Sequence, residues 1–284
     1  MAEILKGAPV AAALNEKTAA LAAQLRGRGV TPTLAILRIG EQPGDLSYER
    51  GTIKRCAEVG IEVKTTALPT DVGQETLMEA LQALNRDPGV HGILVFRPLP
   101  APLDEEAVRR ALAPEKDVDG VTDGSLAGVF CNTPTGFTPC TAQAVMELLA
   151  YYRIPCAGRR AAVLGRSLVV GRPAALLLTH ENATVTLCHS RTQDLPRIAR
   201  EADILVVCTG KAQGVGRDCF RPGQTVIDVG IHRGGPNGSL CGDVDFEQAS
   251  QIADAVTPVP GGVGAVTTAV LVSHVAEAAQ RALR

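Results

Sequence analysis

The sequence contains no C-x-x-C pair, and its five histidines fall at no metal-ligand spacing, so its eight cysteines point neither to a metal site nor to a disulfide framework. Scattered, and several of them inside apolar strand-like runs, they read as reduced core thiols of a cytosolic protein. Nowhere does a run approach the roughly 20 apolar residues of a membrane span. The opening MAEILKGAPVAAALNEK has an early glutamate and an interrupted apolar run, which is not the pattern of a secretory signal, and a cytoplasmic location is expected. Charge of one sign is lacking too. The 28 basic and 30 acidic residues, net −2, are spread along the chain without the basic stripe that nucleic-acid binding needs. Internal repeats and low-complexity tracts are absent. These absences leave a small molecule as the expected partner, with no metal, no nucleic acid and no membrane.

A chain of 284 residues, 45% of them hydrophobic, can bury a sizeable core, and its length suits two modest domains. Short β-branched apolar runs alternate with longer helical patterns: TLAILRI, IEVKTTAL and VHGILVF in the first half, AAVLG, ATVTLC, DILVVC and QTVIDV in the second. Such alternation predicts an α/β protein with parallel sheets built from βαβ units. Between the halves lies CNTPTGFTPCTAQ, rich in Thr, Pro and Gly, followed by the amphipathic AQAVMELLAYY, which sets the boundary near Pro139. The Gly and Pro density of AVTPVPGGVGAVT, Ala255 to Thr267, marks an ordered loop. After it, TAVLVSHVAEAAQRAL has clean helical periodicity, and this last helix is expected to pack back on the first domain.

RAAVLG runs directly into GRSLVVGRPAALLL, so Gly165, Ser167, Val170 and Gly171 stand where a dinucleotide fold places its phosphate-binding turn and the helix after it. Glycines let the backbone approach a pyrophosphate, and a helix N-terminus offers free N–H groups. The spacing is G-x-S-x-x-x-G, and such a turn is often purely structural. The next strand, ATVTLC, ends in His189, Ser190, Arg191 and Thr192, with no carboxylate to hold a ribose 2′-hydroxyl. Arg191 and Ser190, with Arg166 in the turn, suit a 2′-phosphate and so favour NADP.

Five stretches occur in order: PEKDVDG (114–120), GRSLVVGRP (165–173), VIDVGI (226–231), GDVDF (242–246) and TPVPGGVG (257–264). With them the chain resembles the methylenetetrahydrofolate dehydrogenase/cyclohydrolase family, the FolD type, over nearly its whole length. The resemblance implies a C-terminal Rossmann domain for NADP, residues 140–266, and an N-terminal three-layer α/β domain, residues 1–139, that binds folate and is completed by residues 267–284. It also implies a homodimer, and a cleft where nicotinamide meets folate. Asp119 resembles the carboxylate that pairs with the pterin's amino and ring N–H groups, and Tyr48 the tyrosine that stacks on the substrate. Pro260, Gly261, Gly262 and Val263 resemble the loop that closes over folate. Thr209, Gly210, Gly230 and Ile231 stand at strand ends whose backbone groups face nicotinamide in such enzymes.

The chain departs from the family around one cluster. Where the family pattern has a lysine four residues after the tyrosine, this chain has Thr52. Lys54 lies about 200° further round a helix. Arg55 returns to the tyrosine face but stays protonated and cannot act as a neutral base. In VFRPLP, Phe96 replaces the glutamine that partners the lysine, and Asp45 stands where a serine is usual. Lys54 remains the candidate base if the helix is shifted or unwound there, and Arg97 is a candidate for holding substrate or Asp45.

Hydride transfer from methylenetetrahydrofolate needs alignment and exclusion of water but no protein base. Hydrolysis of the methenyl product needs proton transfer, which the missing lysine would serve. The dehydrogenase is therefore expected to be retained and the cyclohydrolase weakened. Two other readings share parts of the pattern. A shikimate-type NADP dehydrogenase fits the Rossmann half but not KDVDG together with PGGVG, and a non-catalytic folate or nucleotide sensor would keep the fold without turnover.

Overall fold

Runs of Val, Ile, Leu and Ala long enough to be buried on both faces build two parallel sheets, as βαβ patterning predicts. The computed structural model describes residues 1–234 and 238–283. Its strands are β1 (Glu3–Ile4), β2 (Thr33–Ile39), β3 (Glu62–Leu68), β4 (Gly92–Val95), β5 (Arg160–Leu164), β6 (Thr184–Cys188), β7 (Ile204–Val207), β8 (Thr225–Asp228), β9 (His232–Arg233), β10 (Leu240–Cys241) and β11 (Ala255–Val256). The helices are α1 (Gly7–Gly27), α2 (Pro43–Val59), α3 (Gln74–Arg86), α4 (Glu105–Ala111), α5 (Asp123–Cys131), α6 (Cys140–Tyr151), α7 (Gly171–His180), α8 (Leu195–Glu201), α9 (Phe246–Ile252) and α10 (Val263–Arg281). The chain divides into two bodies. One comprises residues 13–138 and the segment from Thr268 on; the other comprises residues 1–12 and 139–267.

In the first body three parallel strands run in the order β3-β2-β4. Central β2 is buried along almost its whole length, whereas edge strand β3 has only half-buried and exposed positions. Helix α2 starts with Pro43 in its first turn and stops at Gly60, whose φ of 78° is the left-handed cap conformation that glycine adopts freely. Its inward stripe is Glu49, Thr52, Cys56 and Val59, spaced three and four apart. The final helix docks on this body, as predicted. His274 Nδ1 donates to the Val118 carbonyl at 2.9 Å, and Arg281 donates to the Gly136 carbonyl at 2.6 Å while lying 4.2 Å over the Phe137 ring.

The second body is a six-stranded, all-parallel sheet in the order β1-β11-β8-β7-β5-β6. Its four long strands are the four apolar runs expected. Strand β1 is a difference from the sequence reading, which put the first residues with 1–139. Glu3 and Ile4 instead pair with Ala255 and Val256 and extend the Rossmann sheet. Two-residue strands carry no periodicity, so neither β1 nor β11 is visible as a pattern. From β5 the chain runs outward to β6 and then returns to lay β7 on the other side, which makes a topological switch point at the carboxyl ends of β5 and β7.

Candidate active site

A crevice of about 360 Å³ opens at that switch point, lined by Gly165, Arg166, Ser167, His189, Ser190, Thr209 and Lys211 among others. Two glycines make room for it. A Cβ on Gly165 would stand 2.2 Å from the Cys208 carbonyl oxygen, and one on Gly171 2.1 Å from the Gly165 oxygen, so the turn closes only without side chains at both positions. Ser167 Oγ accepts from the Gly171 N–H at 3.3 Å and ties the turn to the start of α7. The lining offers a guanidinium, an ammonium and two serine hydroxyls and no carboxylate, a donor set that fits the phosphates of a dinucleotide. Burial pushes the Cys208 thiol up to about 12, helped by the Asp243 charge, so it stays neutral.

Behind the crevice two buried aspartates brace the strand ends. Asp243, fully buried, accepts from the Thr209 N–H at 2.5 Å, the Gly210 N–H at 2.9 Å and His232 Nε2 at 2.6 Å. Asp228 accepts from the N–H groups of Gly230, Asp243 and Val244, each at 3.0 Å. Burial pushes the Asp228 carboxyl up to about 6 despite those three donors. The amides of Thr209, Gly210 and Gly230, expected to face a cofactor, are thus committed to these aspartates.

The first body holds a second cavity of about 260 Å³, lined by Asp45 and Tyr48 from α2, Leu94 and Val95 from β4, and Phe96, Arg97 and Asp119 beyond it. The two aspartates of KDVDG divide the labour. Asp117 is fully buried and accepts from the N–H groups of Val121 and Thr122 and from Ser125 Oγ, at 3.0, 2.7 and 2.6 Å, which shapes the turn. Asp119 is left to the cavity, where Arg97 meets it at 3.3 Å. Arg97 also reaches Glu105 at 3.6 Å, and Glu105 accepts from the Leu99 N–H at 3.0 Å. Tyr48 packs its ring 5.6 Å from that of Phe96, at 52°.

The structure brings Tyr48, Asp119 and Arg97 together, but not Lys54. Helix α2 is unbroken from Pro43 to Val59, so Lys54 stays exposed on a different face and is not part of the cavity wall, and the alternative of a shifted or unwound helix does not occur. Thr52 is fully buried, and its Oγ1 has no hydrogen-bond partner among the described residues. Around the cofactor crevice, Arg166 and Ser190 line the wall; Arg191 lies just outside it, exposed, and Val170 caps α7. Pro260 and Gly261 are exposed, Gly262 and Val263 buried, and Gly261 accepts from the Gly7 N–H at 2.7 Å. Ile231 is 64% exposed.

Sequence reasoning missed three features. Lys211 in the crevice had a signal, since it directly follows Thr209 and Gly210 at the end of β7. The buried pair of Arg38 with Glu49 (2.8 Å), which also takes the Thr65 hydroxyl (2.9 Å), had none, because it joins β2, α2 and β3. The same holds for His232 on Asp243. Among the described residues, no group of three or more His, Cys, Asp or Glu is placed to hold a metal, and no helix is long and apolar enough to cross a membrane.

A family model described as tetrahydrofolate dehydrogenase/cyclohydrolase, catalytic domain, matches residues 5–119, and one described as the NAD(P)-binding domain of the same enzymes matches residues 139–283. A bifunctional protein FolD of Carboxydothermus hydrogenoformans is 51% identical over 281 residues, 99% of this chain and 98% of that protein. The crystal structure of the bifunctional FolD of Campylobacter jejuni matches with a TM-score of 0.95 at 35% identity, covering 99% of both chains. That of the Trypanosoma brucei FolD enzyme, complexed with NADP and an inhibitor, matches at 0.92 and 35%, covering 100% of this chain and 99% of that one. Matched in both halves by family models and along its length by these relatives, the chain belongs to the tetrahydrofolate dehydrogenase/cyclohydrolase family.

Proposed function

We propose that this protein is an NADP-dependent 5,10-methylenetetrahydrofolate dehydrogenase of one-carbon folate metabolism in which hydrolysis of the methenyl product is slow. One observation carries the reading: the cavity that keeps Tyr48 and Asp119 has no lysine in its wall. Asp119 accepts the two N–H donors of the pterin edge, and Arg97 holds that carboxylate in place. Tyr48, backed by Phe96, stacks on the substrate and excludes water from the reacting carbon. Pro260, Gly261, Gly262 and Val263 form the loop that closes on folate.

The glycines at 165 and 171 admit the phosphates of NADP, with Arg166, Ser190 and Lys211 beside them and Arg191 at the rim. NADP, when bound, supplies the hydride acceptor. Thr209, Gly210, Gly230 and Ile231 frame its nicotinamide half. Without a lysine to move a proton, water attacks the methenyl carbon with little help. The protein works in the cytoplasm as a homodimer.

Following NADPH formation from 5,10-methylenetetrahydrofolate at one wavelength and the methenyl product at another tests this. NADPH should appear with methenyl product accumulating beside it. NADPH without accumulation rejects the slow hydrolysis, and no NADPH at all leaves the non-catalytic sensor.

A further inference from the structure

We infer that Asp45 is a specificity-determining carboxylate that makes the folate cavity hold the cationic product of dehydrogenation more tightly than the neutral substrate. The inference deepens the dehydrogenase reading above and rests on it.

Asp45 lies in the first turn of α2, three residues before Tyr48, and both line the cavity with Phe96, Arg97 and Asp119. Asp119 is compensated by Arg97 at 3.3 Å, and Arg97 is shared with Glu105 at 3.6 Å. No hydrogen bond or ion pair engages the Asp45 side chain among the described residues. The cation that the family pattern places at position 52 is here a fully buried threonine, and Lys54 points away from the cavity wall. The wall therefore carries two carboxylates against one guanidinium, and Asp45 is the uncompensated member.

The chemistry makes that charge consequential. In the forward step a C–H bond of the methylene carbon breaks, and the hydrogen leaves with both electrons for the oxidised nicotinamide. No proton is released, and the folate gains one positive charge spread over the two flanking nitrogens. A fixed negative charge nearby favours that cation over the neutral substrate, and favours the transition state as the charge develops. It also repels hydroxide and lowers the electrophilicity of the methenyl carbon. The site is then built to release the methenyl product intact, so a separate hydrolysis or reduction must consume it. The bland alternative is that Asp45 only complements the α2 dipole. That role changes stability and leaves the preference between cation and neutral ligand untouched.

The test uses the full chain with NADP and measures KM for methylenetetrahydrofolate and the inhibition constant of methenyltetrahydrofolate in initial-rate assays. In Asp45→Asn and Asp45→Ser, the methenyl constant relative to the methylene KM should rise roughly threefold to tenfold, the size expected for one charge across a partly solvated cavity. In the wild type, added salt should weaken methenyl binding more than methylene binding, an arm that needs no variant. An unchanged ratio in both variants, or equal salt sensitivity of the two ligands, overturns the role of Asp45 while the dehydrogenase stands. A wild type that neither turns over nor binds folate overturns the dehydrogenase reading, and this inference with it.

Discussion

The two cavities are built from different materials. The dinucleotide crevice is made by backbone: two glycines that tolerate no Cβ, the start of a helix, and strand ends braced by buried aspartates. The cavity proposed for folate is made by side chains from α2, the end of β4 and the KDVDG turn. A backbone-built site cannot be altered without changing the fold, so it keeps its pattern. A side-chain site can be rewritten on an unchanged frame, and here positions 45, 52 and 96 all differ from the family pattern while the C. jejuni structure still matches at a TM-score of 0.95.

The contrast would break most visibly in hydrolysis. General acid-base assistance is worth about 10² to 10⁴-fold, so methenyl hydrolysis by the wild type should lie that far below what a placed lysine achieves. Rebuilding the pair with Thr52→Lys and Phe96→Gln together should raise it. Thr52→Lys alone should cost stability instead, because it puts an ammonium into a fully buried position. If brisk wild-type hydrolysis disappears in Lys54→Ala, then Lys54 serves after all.

A smaller effect separates the two sites from each other. Asp119→Asn presents a donor where the pterin edge needs an acceptor and also loses the pairing with Arg97. Charged hydrogen bonds of this kind contribute about 1.5–3 kcal/mol, so kcat/KM for folate should fall roughly tenfold to a hundredfold. NADP affinity, measured by fluorescence titration, should be unmoved. A matching loss for NADP would mean that the variant disturbs more than the folate cavity.

The same distinction governs what could be read from the sequence. The seven long strands, the terminal helix and the glycine turn were legible because each is a local pattern: a hydrophobic run, a 3.6-residue period, a turn that needs glycine. The role of Asp117 against Asp119 was half legible, since D-x-D-G announces a turn but not which carboxylate is spent on it. The Arg97–Asp119 pair, 22 residues apart, and Arg38 with Glu49 were not, because they exist only once strands and helices have met. Strand β1 was too short for any pattern to show.

Within the crevice, the comparison sharpens between a wall residue and a rim residue. Arg166 lines the cavity and Arg191 lies exposed outside it. Arg166→Gln should weaken NADP about tenfold, near the lower end for a charge-assisted hydrogen bond, and weaken NAD less. Arg191→Gln should have the smaller effect on NADP, since an exposed pairing is worth roughly 0–1 kcal/mol. Isothermal titration of both cofactors against both variants checks the order, and a larger loss at Arg191 would move the 2′-phosphate to the rim.

The smallest effect is a pair of opposite pH slopes, one in each body. Asp228 titrates near 6 in the folded state because burial disfavours its charge, well above its ordinary 3.8. The folded state therefore binds that proton more tightly than the unfolded chain, and the stability this group contributes is full at low pH and lost as pH rises through about 6. Lowering the pH from 7 to 5 should add about 1 kcal/mol through Asp228. His274 behaves oppositely: burial lowers its pKa below 6.5, so as the pH falls the unfolded chain takes up a proton that the folded state resists, and stability is lost. Its ring donates to the Val118 carbonyl one residue before Asp119, so the loss falls on the folate-side body. Urea midpoints between pH 7 and pH 5 separate the two contributions. Relative to wild type, Asp228→Asn should lose stability more steeply on acidification and His274→Gln less steeply. Parallel curves for all three proteins would mean that neither buried group sets the pH dependence.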